Sequence, residues 1–538
     1  MTDPPEAAGR RRLLLALARA LIVALYLVQA VHYARVLVPV HDGVQYLMVG
    51  AMAVRGELGV YDDRLVGNRL PLPFYVLGLT QILAGGPSLY AARALNVAFG
   101  VLILLLTAGL ARRLAGDGAA ILAALFLATQ GVVVAYYSYE SYPAFASFCL
   151  IGALYVFVAD ASPARRVIGL GLIGLLFFVR SNLWPVVPFM LAYALWSART
   201  KSMRALLVAV VAVPPLVFLA WNSAHLKILA YVPVLRRLVA PLGYVSALTL
   251  DDRQALALGS QLYEVLRVVR RYEFWALAGA LLIGVGCWRR LAGRPTGFPH
   301  GWAGAQVRML TALLAASVGA LFVMYYWNFH WVGLYFLPYA PLTALLLGVG
   351  WAGLLRTARP EGWPRRLLLV ALVGVLLPPL YFARNPLLPT GDLAKKDPVG
   401  SAYAAAAHIR ALVPPHARVF FYGLNEIYYL SGRPITYLQQ MYIPYQFVRV
   451  PTEDWIVRRS GFVTATQMRD WLSSGADYAV IDSTFVEAMR PQFVAEEREM
   501  LALLDRYFEP IGSVTEFPLR SLIVYRRKGA PAGSQAPS

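Results

Sequence analysis

Cysteine is nearly absent from this 538-residue chain, and the two present, Cys149 and Cys287, both lie inside apolar stretches. That excludes a disulfide framework and a thiolate metal centre and assigns both residues to packing. Charge is also scarce. Only 14% of the residues are Asp, Glu, Lys or Arg, against 59% hydrophobic, and the mean hydropathy is +0.57, which is far more apolar than a soluble domain of this size. Acids are the rarer sign, 29 against 49 Lys and Arg, for a formal net charge of +20. In a soluble chain that excess points to nucleic acid. Here the arginines stand at the ends of apolar runs, as membrane orientation requires, so membrane lipids replace nucleic acid as the expected partner. The first apolar run lacks a small-residue cleavage site and leads into further apolar segments, so it reads as a membrane helix and not as a cleavable signal.

What the chain has instead is a series of apolar runs long enough to cross roughly 30 Å of hydrocarbon. They fall near 13–37, 90–111, 118–137, 142–159, 166–180, 183–197, 205–222, 274–290, 308–327, 331–355 and 366–383. The expected fold is a polytopic α-helical membrane protein of about eleven transmembrane helices, within a range of roughly ten to thirteen. The segment 71–84 reads as one more span or as a re-entrant piece.

With Arg10, Arg11 and Arg12 on the cytoplasmic side, the alternate loops on that side carry Arg112 and Arg113, Arg165 and Arg166, Arg199 and Lys201, Arg289 and Arg290, and Arg365 and Arg366. The basic bias therefore puts the N-terminus in the cytoplasm of a plasma (inner) membrane protein and the C-terminal domain outside. The exception is the outer loop 223–272, whose arginines suit the membrane surface or a phosphate. Three parts follow: a membrane domain over 1–383 with outer loops at 38–70 and 223–272, an extracytoplasmic α/β domain over 384–528, and a disordered tail over 529–538. In the α/β domain "ARVFFYG" and "ADYAVIDS" read as buried strands, each after a helical stretch, and "RSLIVYRRK" reads as the last strand. It contains neither a nucleotide loop nor a nucleophile elbow.

Acids are few enough that each one at a membrane boundary bears reading. Asp42 opens "DGVQYLMVGAMAVRGELGVYDDRL", an amphipathic stretch too interrupted by Gly and charge to span, and "GNRLPLPFYVLG" follows with Asn68 and Arg69 ahead of a Pro-rich apolar segment. By position alone Asp42 reads as a helix N-cap or a solvated loop residue. A carboxylate, an interfacial helix and a cation at the next membrane entry would also enclose one site at headgroup depth.

"HDGVQYLMVGAMAVRG" and "YDDRLVGNRLPLPFYVLGL" resemble the first extracytoplasmic loop of the GT-C glycosyltransferases, the superfamily that includes protein O-mannosyltransferases and the bacterial aminoarabinose transferases and uses polyprenyl-phosphate sugars. The resemblance implies that Asp42 is the catalytic carboxylate and that Arg69, with Asn68 beside it, contacts the lipid phosphate. Many members carry an Asp-Glu pair where this chain has Asp42 and Gly43, and Lys-Pro where it has Arg69 and Leu70. "AYYSYESYPAFASFCLIGALY" resembles the second outer loop, which implies that Glu140 is a second catalytic acid. "FFVRSNLWPVVPFML" points to Arg180, and "FHWVGLYFLPYAPLTALL" to His330 and Tyr335, as substrate-binding residues. The implied partners are a polyprenyl-phosphate-linked sugar donor and a lipid, polysaccharide or protein acceptor. A divalent cation shared by Asp42 and Glu140 is a cofactor that the resemblance leaves open.

These residue types suit the chemistry. An inverting transfer needs a base opposite the leaving group, which Asp42 supplies, and cations to stabilise the departing phosphate, for which the planar fork of arginine is well shaped. Simpler roles stand beside these. Glu140 among Tyr136, Tyr137, Tyr139 and Tyr142 also fits an aromatic interface belt, Arg180 fits a snorkelling cation, His330 between Trp327 and Trp331 fits an interfacial histidine, and the pairs Asp62–Asp63 and Asp251–Asp252 fit loop turns. The alternatives to a transferase are a transporter or flippase of lipid-linked sugars and a non-catalytic membrane scaffold. A transporter calls for ionisable residues at mid-membrane depth, whereas the acids here cluster at the outer boundary.

Overall fold

The computed structural model describes residues 5–39, 41–57, 70–158, 162–221, 226, 229, 233–242, 258–295, 297, 299–324, 330–358, 362–381, 397–434, 436–440 and 464–529. Asn68, Arg69, Asp62, Asp63, Asp251 and Asp252 lie outside them, as do most of the 223–257 loop and the terminal tail beyond Gly529.

The protein is mostly helical, with a small C-terminal sheet. Among the described residues the apolar runs named above are mostly helical. Among the described residues six helical segments are long and apolar enough to cross a membrane: Arg12–Val36, Leu89–Ala115, Lys201–Trp221, Glu273–Leu291, Gly301–Met324 and Val332–Thr357. The first belongs to helix α1 (Pro5–Val36); it is followed by α2 (His41–Val54), α3 (Pro71–Leu83), α4 (Leu89–Ala115), α5 (Asp117–Thr129), α6 (Gly131–Tyr136) and α7 (Pro143–Val158). The run read as a single span over 118–137 is broken at Gln130, between α5 and α6. The 331–355 run is likewise broken around Phe336–Tyr339, where Pro338 interrupts the helical hydrogen bonding.

The chain forms two compact units. One comprises 1–35, 93–218 and 254–386, and the other 36–92, 219–253 and 387–538. In the first, α5 packs along the Ala340–Thr357 helix. Gly348 permits this approach, because a Cβ there would overlap the backbone of Ala123.

In the second unit α2 packs on α3 through a crossing of glycines: a Cβ at Gly50 would overlap the Phe74 carbonyl, and one at Gly78 the Gly50 backbone. Every residue from Gly43 to Ala51 is buried. The amphipathic pattern predicts a half-exposed helix; the glycine contact draws α3 over the face that was expected to meet the headgroups. At 13 residues, α3 is about 20 Å long, too short to span. The C-terminal part of this unit carries strands β1 (Val419–Gly423), β2 (Tyr437–Gln440), β3 (Tyr478–Asp482), β4 (Phe508–Val514) and β5 (Leu522–Arg527) in the order β2-β1-β3-β5-β4. β1 runs parallel to β2 and β3, and β5 antiparallel to β3 and β4. Helices Ala465–Asp470 and Ser483–Tyr507 close its core, with Phe420, Met468, Leu472, Ile481, Met500 and Leu504 buried between layers.

Candidate functional site

Asp42 lies in the first turn of α2, where the free amides of the helix start favour negative charge. It is exposed, while Gly43 to Ala51 after it are buried. The sequence therefore offers a carboxylate at the tip of a helix that is otherwise core, and the packing of α2 on α3 fixes its direction.

Glu140 is placed differently. It is fully buried and its Oε2 accepts from Arg93 Nε at 2.6 Å, with 1% of the Arg93 side chain exposed. Arg93 also donates from Nη1 to the Ala34 carbonyl at 2.8 Å. One turn later on α4, Asn96 donates through Nδ2 to the carbonyls of Tyr139 and Ser141. Two polar side chains of α4 thus hold the "YYSYESY" segment between α6 and α7, and Pro143 starts α7 immediately after it.

Tyr142, from the same segment, meets Arg180. The Arg180 guanidinium lies 4.2 Å from the centre of the Tyr142 ring and 5.4 Å from that of Tyr335, and its Nη2 is 3.5 Å from the Tyr335 hydroxyl. Arg180 sits in extended backbone between two short helical turns, Leu176–Phe178 and Ser181–Leu183. This break turns its side chain out of helical register. Asn182 donates to the Tyr335 carbonyl at 2.7 Å, and the Tyr339 hydroxyl returns a bond to the Asn182 carbonyl at 2.6 Å. The structure therefore joins the Glu140 segment, Arg180 and Tyr335 in one unit. His330 starts the short helix His330–Tyr335, and its side chain lies outside the described residues.

Arg93, Asn96 and Asn182 were not singled out from the sequence. Arg93 carried a signal, since an arginine within "LYAARALNVAF" is an ionisable group inside a membrane helix and such groups pair or function. Among the described residues no three His, Cys, Asp or Glu side chains gather to hold a metal ion.

A second cluster of charge lies at the carboxyl ends of the parallel strands β1 and β3, where open α/β sheets place polar groups around a crevice. Arg520 Nε is 3.0 Å from Glu426 Oε1 and 3.5 Å from Asp482 Oδ2. Asp482 also caps the Ser483–Tyr507 helix by accepting from Phe485 N at 3.0 Å. Burial pushes the Glu426 carboxyl up to about 7, against the opposing pull of Arg520, and raises Asp482 for the same reason. Gly423, at φ +138°, leaves room for this cluster, because a Cβ there would overlap the Asp482 side chain.

Over 97% of its length and 99% of the other chain, the protein is similar to the crystal structure of ArnT from Cupriavidus metallidurans bound to undecaprenyl phosphate, with a TM-score of 0.57 at 15% sequence identity. The fold is that of the GT-C glycosyltransferases. The apo state of the same ArnT gives a TM-score of 0.56 at 14% identity, over 96% of this chain and 98% of that one. The oligosaccharyltransferase of Archaeoglobus fulgidus in its apo form gives 0.48 at 13% identity, over 91% of this chain and 73% of that one. No protein-family model and no curated protein sequence matches the chain.

Proposed function

We propose that the protein is a membrane glycosyltransferase that moves a sugar from a polyprenyl-phosphate donor to a hydroxyl of a lipid, polysaccharide or protein acceptor, inverting the anomeric centre on the extracytoplasmic face. Asp42 carries the proposal: it is an exposed carboxylate on the first turn of a buried helix, at the position to which the GT-C resemblance assigns the catalytic acid. The end-to-end likeness to ArnT, whose structure was determined with undecaprenyl phosphate, supports a lipid-linked donor. The basic loops support a cytoplasmic N-terminus and an extracytoplasmic C-terminal domain in the plasma membrane.

In this reaction Asp42 accepts the proton of the acceptor hydroxyl as its oxygen attacks the anomeric carbon. The bond from that carbon to the phosphate oxygen breaks, and the polyprenyl phosphate leaves with the electron pair. Arg180, held by stacking on Tyr142 and Tyr335, brings its guanidinium to the departing phosphate. Arg69 and Asn68 are assigned to the same phosphate by resemblance, and His330 and Tyr335 to the sugar side. The Glu140 carboxylate is engaged by Arg93, so its role is to hold the second outer loop in place under Arg180. A divalent cation at this site would have to compete with Arg93 for the Glu140 carboxylate.

The test is mass spectrometry of the polyprenyl-phosphate sugar pool in cells lacking the protein, complemented with wild type or with Asp42→Asn. Accumulation of one glycosylated lipid in both the deletion and the Asn variant, cleared by wild type, supports the transferase and identifies the donor sugar. Clearance by an equally expressed Asn variant refutes the assigned base and favours a transporter or scaffold.

A further inference from the structure

The carboxyl end of α2 faces a different environment from Asp42. There the second unit encloses a cleft of about 530 Å³ between α2, the α3–α4 turn and the Glu426–Leu430 helix with the loop that follows it. Met48, Met52 and Ile82 form an apolar side, while Arg55, Arg433 and the Tyr429 hydroxyl supply polar groups. Pockets of this size commonly take a small organic ligand, with a few polar groups fixing its orientation.

Positive charge in the cleft is poorly compensated. Arg433 donates from Nη2 to the Arg410 carbonyl at 2.6 Å. Its buried Nε has no hydrogen-bond partner among the described residues. Arg410 in turn donates to the carbonyls of Ser431 and Leu430, at 3.0 and 3.4 Å. Among the described residues neither guanidinium pairs with a carboxylate. Burial and the neighbouring Arg410 both weaken the hold of Arg433 on its proton. Among the described residues the one acid lining the cleft is Glu57, 3.4 Å from Arg55 in a pair about half exposed on both sides, and pairs that exposed compensate little. A guanidinium that lines a cleft without a carboxylate partner among the described residues is a strong receptor for phosphate, whose oxygens match its fork.

We propose that this cleft binds a phosphate-bearing amphiphile, with Arg433 and Arg55 on the phosphate and Met48, Met52 and Ile82 on the first part of the apolar chain. Thirteen residues separate Asp42 from Arg55, or about 20 Å along a helix. The site is therefore distinct from the one assigned to Asp42 and stands whether or not the protein is a transferase. Its position beside the turn that leads into the membrane helix α4 brings it within reach of a molecule anchored by an acyl or prenyl chain.

Binding to the full-length protein in a neutral detergent tests this by calorimetry, with dihexanoyl phosphatidic acid below its micelle concentration and inorganic phosphate as the two probes. The expected result is saturable binding of phosphatidic acid that is tighter than that of phosphate, about tenfold weaker or worse in Arg433→Gln, and several-fold weaker in Arg55→Gln. Ile82→Ser should weaken phosphatidic acid and leave phosphate unchanged. Equal affinity for the two probes, insensitive to Ile82→Ser, overturns the amphiphile and leaves a free-phosphate site. Absence of saturable binding, or wild-type binding in both arginine variants, overturns the site altogether. Arg55 is solvent-facing, so its variant decides the matter should Arg433→Gln fold poorly; Arg433→Lys, which keeps the charge, should recover part of the affinity.

Discussion

Replacing Arg93 with Met leaves the Glu140 carboxylate where neither member of the pair exposes more than 1% of its side chain. At the observed 2.6 Å contact, the charge centres are about 4 Å apart, which is worth about 4 kcal/mol at an effective dielectric constant of about 20. Breaking a buried pair from one side typically costs about 3–5 kcal/mol, because the survivor stays desolvated. Loss of the Arg93 bond to the Ala34 carbonyl adds about 1 kcal/mol. Glu140→Leu alone should cost a similar amount, while the double variant Arg93→Met/Glu140→Leu, which strands no charge, should return to within about 2 kcal/mol of wild type. Unfolding of the purified full-length protein, read beside clearance of the glycolipid pool, measures both stability and function. Singles within about 1 kcal/mol of wild type, or a double variant worse than either single, would refute the buried-pair account. A double variant that is stable and active makes Glu140 a residue that positions its loop. One that is stable and inactive assigns it to the chemistry.

Glu426 provides a pH test. Its folded-state value of about 7 lies above the ordinary 4.5, so the folded protein retains a proton that the unfolded chain has released. Its contribution to stability therefore falls as pH rises from about 4.5 to 7 and is level above that, by up to about 3 kcal/mol. Glu426→Gln should match wild type near pH 5 and exceed it at pH 8 in thermal melts; parallel profiles would contradict this. Gly50→Ala should lower stability by about 1–3 kcal/mol by forcing α2 from α3, and an unchanged melting temperature would show that the helices yield freely. Arg180→Gln should reduce turnover by about a hundredfold or more with little loss of stability, with partial rescue by Lys, if its cation serves the phosphate; full activity would leave it as a packing residue on Tyr142 and Tyr335.

Apolar periodicity made the helices legible because burial in lipid or core demands it at every turn. The strands β1 and β3 were equally plain, being continuous apolar runs buried on both faces. β4 was not, since its Pro510 and Gly512 flank a register shift that breaks the alternation, and β2 is a four-residue edge strand. The exposed acid at the start of α2 could be picked out because charge is so rare. Arg93 lies hidden within an apolar run, and its partner is 47 residues away. Nothing local announces such a pair. The same holds for Glu426, Asp482 and Arg520, which the parallel pairing of β1 with β3 and the antiparallel return of β5 bring together.

The packing of the second unit gives the C-terminal domain a physical task. Asn425 Nδ2 reaches Met48 Sδ at 3.5 Å, the Tyr429 hydroxyl lies 3.2 Å from Gln81 Oε1, and the Tyr403 hydroxyl accepts from Leu89 N at 3.0 Å while its ring stacks on Tyr90. Each of these bonds ends on α2, α3 or the start of α4. The helix that carries Asp42 is thus braced by Asn425, more than 300 positions later in the chain, and Tyr429 on the same short helix lines the arginine-bearing cleft. Any ligand that moves the Glu426–Leu430 helix must strain the Asn425 contact with α2. Asn425→Ala, which removes that contact without touching Asp42 or the cleft arginines, should therefore lower glycolipid clearance several-fold while leaving phosphatidic acid binding intact. Full clearance by this variant would mean that α2 is held by its glycine crossing with α3 alone.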